Sequence, residues 1–103
     1  MTIDRIKATG IELTDAIKDA VEKDLASLES MTARFGDGVS VDVEVGKTTN
    51  HHHKGEIFRA EMSLRIPGKM IRVEETAEDL YAAIKEAVRT LGRDVVKEKE
   101  RHD

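Results

Sequence analysis

Apolar side chains recur along this chain with two periods, and the changes from one period to the other lay out its elements in order. Residues 3–8, Ile-Asp-Arg-Ile-Lys-Ala, mix apolar and charged side chains without clean alternation and predict a first strand, closed by Gly10. Thr14 stands where a helix cap belongs, its hydroxyl able to accept from the unbonded N–H groups of the first turn, and Asp15 adds a charge suited to the helix dipole. Ile17, Val21, Leu25 and Leu28 follow at spacings of four, four and three, one face of a helix running to about Met31. Beyond a turn bracketed by Gly36 and Gly38, Val39, Val41, Val43 and Val45 alternate with Ser40, Asp42, Glu44 and Gly46, the period-two pattern of a half-buried strand. The polar stretch 47–55 ends in glycine and reads as a hairpin loop. Phe58, Ala60, Met62, Leu64 and Ile66 then alternate with Arg59, Glu61, Ser63 and Arg65 in a longer, antiparallel strand. Pro67-Gly68 presets a tight turn into a short strand, Met70 to Glu74. Thr76 with Asp79 three positions on resembles a capping box in which aspartate replaces the usual glutamate or glutamine. It opens a last helix whose stripe is Leu80, Ile84, Ala87, Val88, Leu91 and Val95, ending in the charged run 97–101.

The order β-α-β-β-β-α, with one apolar face per strand and one apolar stripe per helix, predicts an α+β fold of two layers. Both helices cover one side of a four-stranded sheet, and the other side meets water. A chain of 103 residues holds one domain, 1–103. Its charged share of 37% nearly equals its apolar share of 39%, so the core is thin and the surface crowded with ions, as two layers require. There is no cysteine, which excludes a disulfide framework, a thiolate metal site and a cysteine nucleophile. No stretch has the layout of a signal peptide and no apolar run approaches the roughly 20 residues needed to span a bilayer, so a soluble, cytoplasmic protein with no membrane partner is expected.

The net charge of −4 speaks against a nucleic-acid partner until its distribution is considered. Lys47, Lys54, Arg59, Arg65, Lys69 and Arg72 face only Glu56 and Glu61 within their segment, whereas Asp15, Asp19, Glu22, Asp24 and Glu29 outweigh Lys18 and Lys23 in theirs. An electrically two-sided molecule is the expectation. Catalysis has no visible carrier: no serine has a histidine set beside it by the pattern, and Glu74-Glu75, adjacent in a strand, point to opposite faces. His51-His52-His53 invites a divalent ion, but a closed zinc site wants four ligands, and a solvated loop accounts for the run; no metal and no cofactor are expected. Arg89, Arg93 and Lys97 recur every four residues and form one row on the last helix away from its stripe. Either they pair with Glu86 and Asp94 on a solvated face, or they bind phosphate. With only Phe35, Phe58 and Tyr81 as aromatics, an RNA contact would read shape and backbone more than base.

The segments Glu12-Leu13-Thr14-Asp15-Ala16-Ile17, Pro67-Gly68 and Glu78-Asp79-Leu80-Tyr81-Ala82-Ala83-Ile84, set out in this order nearly end to end, resemble the ribosome hibernation promoting factor family. That family is also known as the ribosomal subunit interface or sigma-54 modulation proteins. Most specific is Asp79-Leu80-Tyr81-Ala82-Ala83-Ile84 following the Pro-Gly hairpin by about ten residues. The resemblance implies a β-α-β-β-β-α domain similar to a double-stranded-RNA-binding domain. It implies a non-catalytic protein in the cleft between head and body of the small ribosomal subunit, against its rRNA at the decoding region. There it would block messenger and transfer RNA in whole ribosomes and inhibit translation in idle cells. Arg89, Arg93 and Lys97 match the family's RNA-facing positions, with Lys99 and Arg101 beyond them. The first helix has Ser27 and Ser30 where relatives commonly carry lysines, and Asp24 near a place often basic, which leaves Lys23 and Arg34. Long members carry a C-terminal dimerisation domain; this chain reads as a short form, monomeric off the ribosome, for which pairing of ribosomes would need a second hibernation factor or would not occur. The rival reading is a protein-interaction or transcription-regulatory module using the open sheet face.

Overall fold

The structure, a computed structural model, describes residues 1–48 and 57–102, with side chains through Arg101. Its elements are β1 (Thr2–Thr9), α1 (Asp15–Ala26), α2 (Glu29–Thr32), a 3-10 turn (Ala33–Phe35), β2 (Ser40–Thr48), β3 (Ile57–Ile66), β4 (Lys69–Ala77) and α3 (Leu80–His102). The strands form one sheet in the order β1-β2-β3-β4, with β1 parallel to β2 and the other pairs antiparallel. The valines of β2, Ala60, Met62, Leu64 and Ile66 of β3, and Ile71 and Val73 of β4 are buried on one face. Against it lie the stripes of α1 and α3, and α3 crosses β3 and β4. This is the two-layer α+β architecture that the alternation in the sequence predicts.

The irregular start of the chain has a structural cause. Ile3 pairs with Val41 but Arg5 with Asp42, so Asp4 is an extra residue in the ladder. That bulge lets Ile3, Ile6 and Ala8 all pack toward the core although Asp4 and Arg5 intervene. Three boundaries also differ from the sequence pattern. The first helix stops at Ala26 because the N–H groups of Ser27 and Leu28 bond the carbonyls three residues back, those of Asp24 and Leu25, and the Ser27 hydroxyl donates to the Asp24 carbonyl at 2.7 Å. The helical path resumes as α2, where the buried Thr32 hydroxyl donates to the carbonyl of Leu28. At the other end, Thr76 is a strand residue paired with Arg59, and the cap of α3 is Asp79, whose carboxylate accepts from Ala82 N–H at 2.9 Å. β4 is correspondingly longer than Met70 to Glu74. At the Pro67-Gly68 turn, Ile66 pairs directly with Lys69 and Gly68 takes a φ of 80°. Gly46 has a different role: a Cβ there would lie 2.3 Å from the Thr9 carbonyl oxygen, so a bare backbone is what lets β1 close on β2.

On the outer sheet face Glu44, Glu61 and Glu74 stand opposite one another across three strands. Like charges in such a row repel. Arg59 answers them, with Nη2 at 2.8 Å from Glu44 and Nη1 at 3.0 Å from Glu61 and 3.7 Å from Glu74. Partial burial lowers the pKa of this guanidinium, but the hydrogen bond to Glu44 and the charges of Glu74, Glu44 and Glu61 outweigh it and hold it above the ordinary arginine value. Arg65 similarly bonds Asp42 at 2.7 Å and lies 3.9 Å from Asp4. Arg59 and Arg65, two cations of the basic middle segment, are thus neutralised in place on the outer face, while acidic α1 and basic α3 share the helix layer. Arg59→Leu is expected to cost about 1 kcal/mol of stability, the low end for a charged hydrogen bond because this face is open to water. Urea unfolding checks it: the loss should shrink in 1 M salt, where the glutamate repulsion is screened, and an equal loss at both salt levels would refute the electrostatic account.

Candidate nucleic-acid interface

The helix layer carries a long groove between α1–α2 and α3. Its first half is lined by Lys23, Asp24, Ser27, Lys85, Val88 and Arg89. It continues over Leu28, Met31 and Gly92 to Arg93 and Val96. Gly92 sets how closely the walls approach, since a Cβ there would meet Leu28 Cδ2 at 3.2 Å. Apolar side chains thus form the floor and Lys23, Lys85, Arg89 and Arg93 the cationic rims.

Each rim cation has a different anchorage. Lys85 Nζ bonds the Asp24 carboxylate at 3.1 Å across the groove, joining α3 to α1. Arg89 pairs with Glu86 at 3.1 Å, an exposed pair within one helix worth little. Arg93 does not reach Asp94; it donates to the Thr90 hydroxyl at 3.1 Å, and that hydroxyl donates in turn to Glu75 Oε1 at 3.0 Å. Glu75 is paired with Ala60 and so points from the inner face of β4 toward α3. A half-buried sheet carboxylate therefore holds, through Thr90, the guanidinium at the groove's edge. Lys23 has no carboxylate partner among the described residues.

The row expected on α3 divides. A four-residue step advances about 40° beyond a full turn of an α-helix, so a row drawn through several steps wraps around the axis. Arg89 and Arg93 stay on the groove, while Lys97 and Arg101 line a separate depression with Lys69, Ile71, Asp94 and Glu98, where the hairpin end of β4 meets the end of α3. Arg34, on the turn after α2, and the half-buried Lys99 line neither feature. Two cations are absent from the sequence-based set. Lys85 was accessible by extending the spacing of four one step back from Arg89; Lys69 carries no such signal, because a strand brings it to the helix. His51, His52 and His53 lie outside the described residues, and among those described no group of three or more acidic or histidine side chains could hold a metal ion. Among them, too, no helix is long and apolar enough to cross a membrane.

Residues 5–103 match the family model described as sigma 54 modulation protein / S30EA ribosomal protein. A ribosome hibernation promotion factor of Deinococcus radiodurans is 32% identical over 102 residues, which are 99% of this chain and 51% of that protein; the chain spans about half the length of this curated relative. Among solved structures, the crystal structure of the N-terminal domain of Thermus thermophilus Protein Y is 38% identical with a TM-score of 0.74, covering 92% of this chain and 96% of that one. A ribosomal subunit interface protein from Coxiella burnetii is 19% identical with a TM-score of 0.74, covering 97% and 99%, and shares the fold.

Thr90→Val keeps the shape of residue 90 but removes its hydroxyl, leaving Glu75 and Arg93 each one hydrogen bond short. It is expected to cost about 1–2 kcal/mol, measured by urea unfolding. A stability equal to wild type would mean that the relay through Thr90 does not hold in solution.

Proposed function

The chain belongs to the sigma 54 modulation protein / S30EA ribosomal protein family, and from that premise we propose that it is a ribosome hibernation factor, binding structured rRNA of the small subunit through the groove between α1–α2 and α3. One observation carries the site: Lys23, Lys85, Arg89 and Arg93 line one continuous groove, each on rigid helix, whereas on the outer sheet face Arg59 and Arg65 are tied down by carboxylates of neighbouring strands and Arg72 by Ser63. Docked at the decoding region, the protein would occupy the space of messenger and transfer RNA. It would act by position, with no bond made or broken. The names of the Deinococcus and Coxiella relatives support a ribosomal partner.

Electrostatics and geometry divide the work. Guanidinium and ammonium groups displace the counterions of RNA, which gives affinity without reading sequence. The apolar floor of Val88, Leu28 and Met31 fixes the spacing of the rims, so the groove selects the path of a folded backbone. Acidic α1 tempers the attraction. Asp24 occupies Lys85, and the exposed Asp15, Asp19 and Glu22 add repulsion along the same layer.

The purified protein is expected to co-sediment with small subunits and whole ribosomes at low salt and to leave them as salt rises, log affinity falling by roughly 0.7–0.9 per log unit of salt for each phosphate neutralised. Arg89→Glu with Arg93→Glu should abolish association while leaving the unfolding curve nearly unmoved, both side chains being exposed. Unchanged association in that double variant would overturn the site; absence of the wild-type protein from small-subunit fractions at low salt would overturn the function. Asp24→Asn has the opposite sign: it removes a negative charge from the groove and releases Lys85. Several-fold tighter binding is expected in the same sedimentation assay, and weaker binding would show that the Lys85–Asp24 pair positions the groove.

A further inference from the structure

The depression where β4 meets the end of α3 holds a cluster of charge outside the groove. Glu98 is 6% exposed although it is a carboxylate near the end of a helix. Two cations converge on its Oε1: Lys69 Nζ, from the first residue of β4, and Arg101 Nη1 at 3.0 Å. Lys97 stands in the same depression with no carboxylate partner among the described residues, and Asp94, half-buried, completes the wall. Among the described residues that line the depression, three cations face two carboxylates.

Donor capacity sharpens the imbalance. A lysine ammonium carries three N–H donors and an arginine guanidinium five. The bonds to Glu98 take one from each, and Lys97 uses none. Glu98 is screened from solvent by the groups it binds, so it acts as a buried peg that holds Lys69 beside Arg101 against their mutual repulsion. An anion arriving from outside meets the cations first. The surplus positive charge and fixed donors of the depression suit a phosphate oxygen, the group an arginine fork and a lysine point charge bind best.

We propose that Lys69, Lys97 and Arg101, organised by Glu98, form a second phosphate-binding corner that engages the RNA backbone independently of the groove. The inference rests on the RNA-binding reading above and adds a residue, Lys69, that belongs to neither helix. Along α3, Lys97 follows Arg93 by one turn, whereas Arg101 lies eight residues from Arg93, roughly 12 Å, and turned about 80° around the axis, too far for Arg93 and Arg101 to grip one phosphate. The corner built around Glu98 and Arg101 therefore engages a phosphate other than the groove's.

The test is the salt dependence of affinity for isolated small subunits. Lys97→Gln removes a side chain with no partner to lose, so the fold is untouched; affinity should fall several-fold, and the log–log slope should become shallower by roughly 0.7–0.9, one phosphate. Lys69→Gln should do the same, and Lys69→Arg, which can still bond Glu98 and phosphate, should restore most of the loss. Wild-type affinity and slope in both glutamine variants, while Arg89→Glu with Arg93→Glu abolishes binding, would overturn the corner and leave the groove standing. A wild-type protein that binds no small subunits at any salt would overturn both. A loss in Lys69→Gln that tracks a lowered unfolding midpoint, with Lys97→Gln unaffected, would make Lys69 a structural tie alone and likewise overturn the proposal.

Discussion

The burial of the α3 stripe against β3 and β4 is the contact on which the rest of the molecule depends. Leu80, Ala83, Ile84, Ala87, Val88, Leu91 and Val95 are all buried, and truncating one of the large ones costs about 2–5 kcal/mol in a packed core. That energy fixes more than stability. A helix pinned along one face has no freedom to roll, so the direction of every other side chain on α3 follows from it. Arg89 and Arg93 face α1, and Lys97 and Arg101 face β4, because Leu91 faces the sheet.

Carboxylates then serve as fixtures for cations, in three different settings. Asp24 ties Lys85 across the groove, Glu75 reaches Arg93 through Thr90, and Glu98 gathers Lys69 and Arg101. In each case the acid is more buried than the base. Such an arrangement keeps the positive ends outward and lowers the entropy they lose when a ligand arrives. It also reconciles a net charge of −4 with the proposed binding to an anion: many of the acids serve local order or stand on α1, and the sum of charges describes neither the groove nor the corner.

What the sequence made legible was what short-range pattern encodes. The helical stripes, the alternation of β2 and β3, the Thr14 cap and the Pro67-Gly68 turn each depend on residues within a few positions of one another, and the fold class followed from them. Where a competing local bond decided the outcome, pattern alone was insufficient. Asp79 outcompeted Thr76 as the cap because Thr76 was already committed to β4, paired with Arg59 of β3, and the helix broke at Ser27 although the apolar spacing continued through Leu28. The extra residue Asp4 hid the period of β1. For the candidate interface, the spacing of four put Arg89, Arg93 and Lys97 in one row, and the structure sets Arg89 and Arg93 on the groove and Lys97 in the neighbouring depression because each step of four turns about 40° further round the helix. Lys69 and Glu98 were invisible for a plainer reason: they are 29 residues apart in the chain and meet only after folding.

Of the three strand pairings, β1 with β2 is the one that must enclose a whole helical excursion, roughly thirty residues, before its first hydrogen bond can form, whereas β2, β3 and β4 follow one another directly. Loop closure of that length adds little to the equilibrium cost but much to the search. The meander can assemble as soon as its own residues exist. On a chain emerging from the exit tunnel, the segment made first is thus the one that must wait, unpaired, until Val41 and Val43 present it with a partner. The charges at Asp4, Arg5 and Lys7 keep that waiting segment in water.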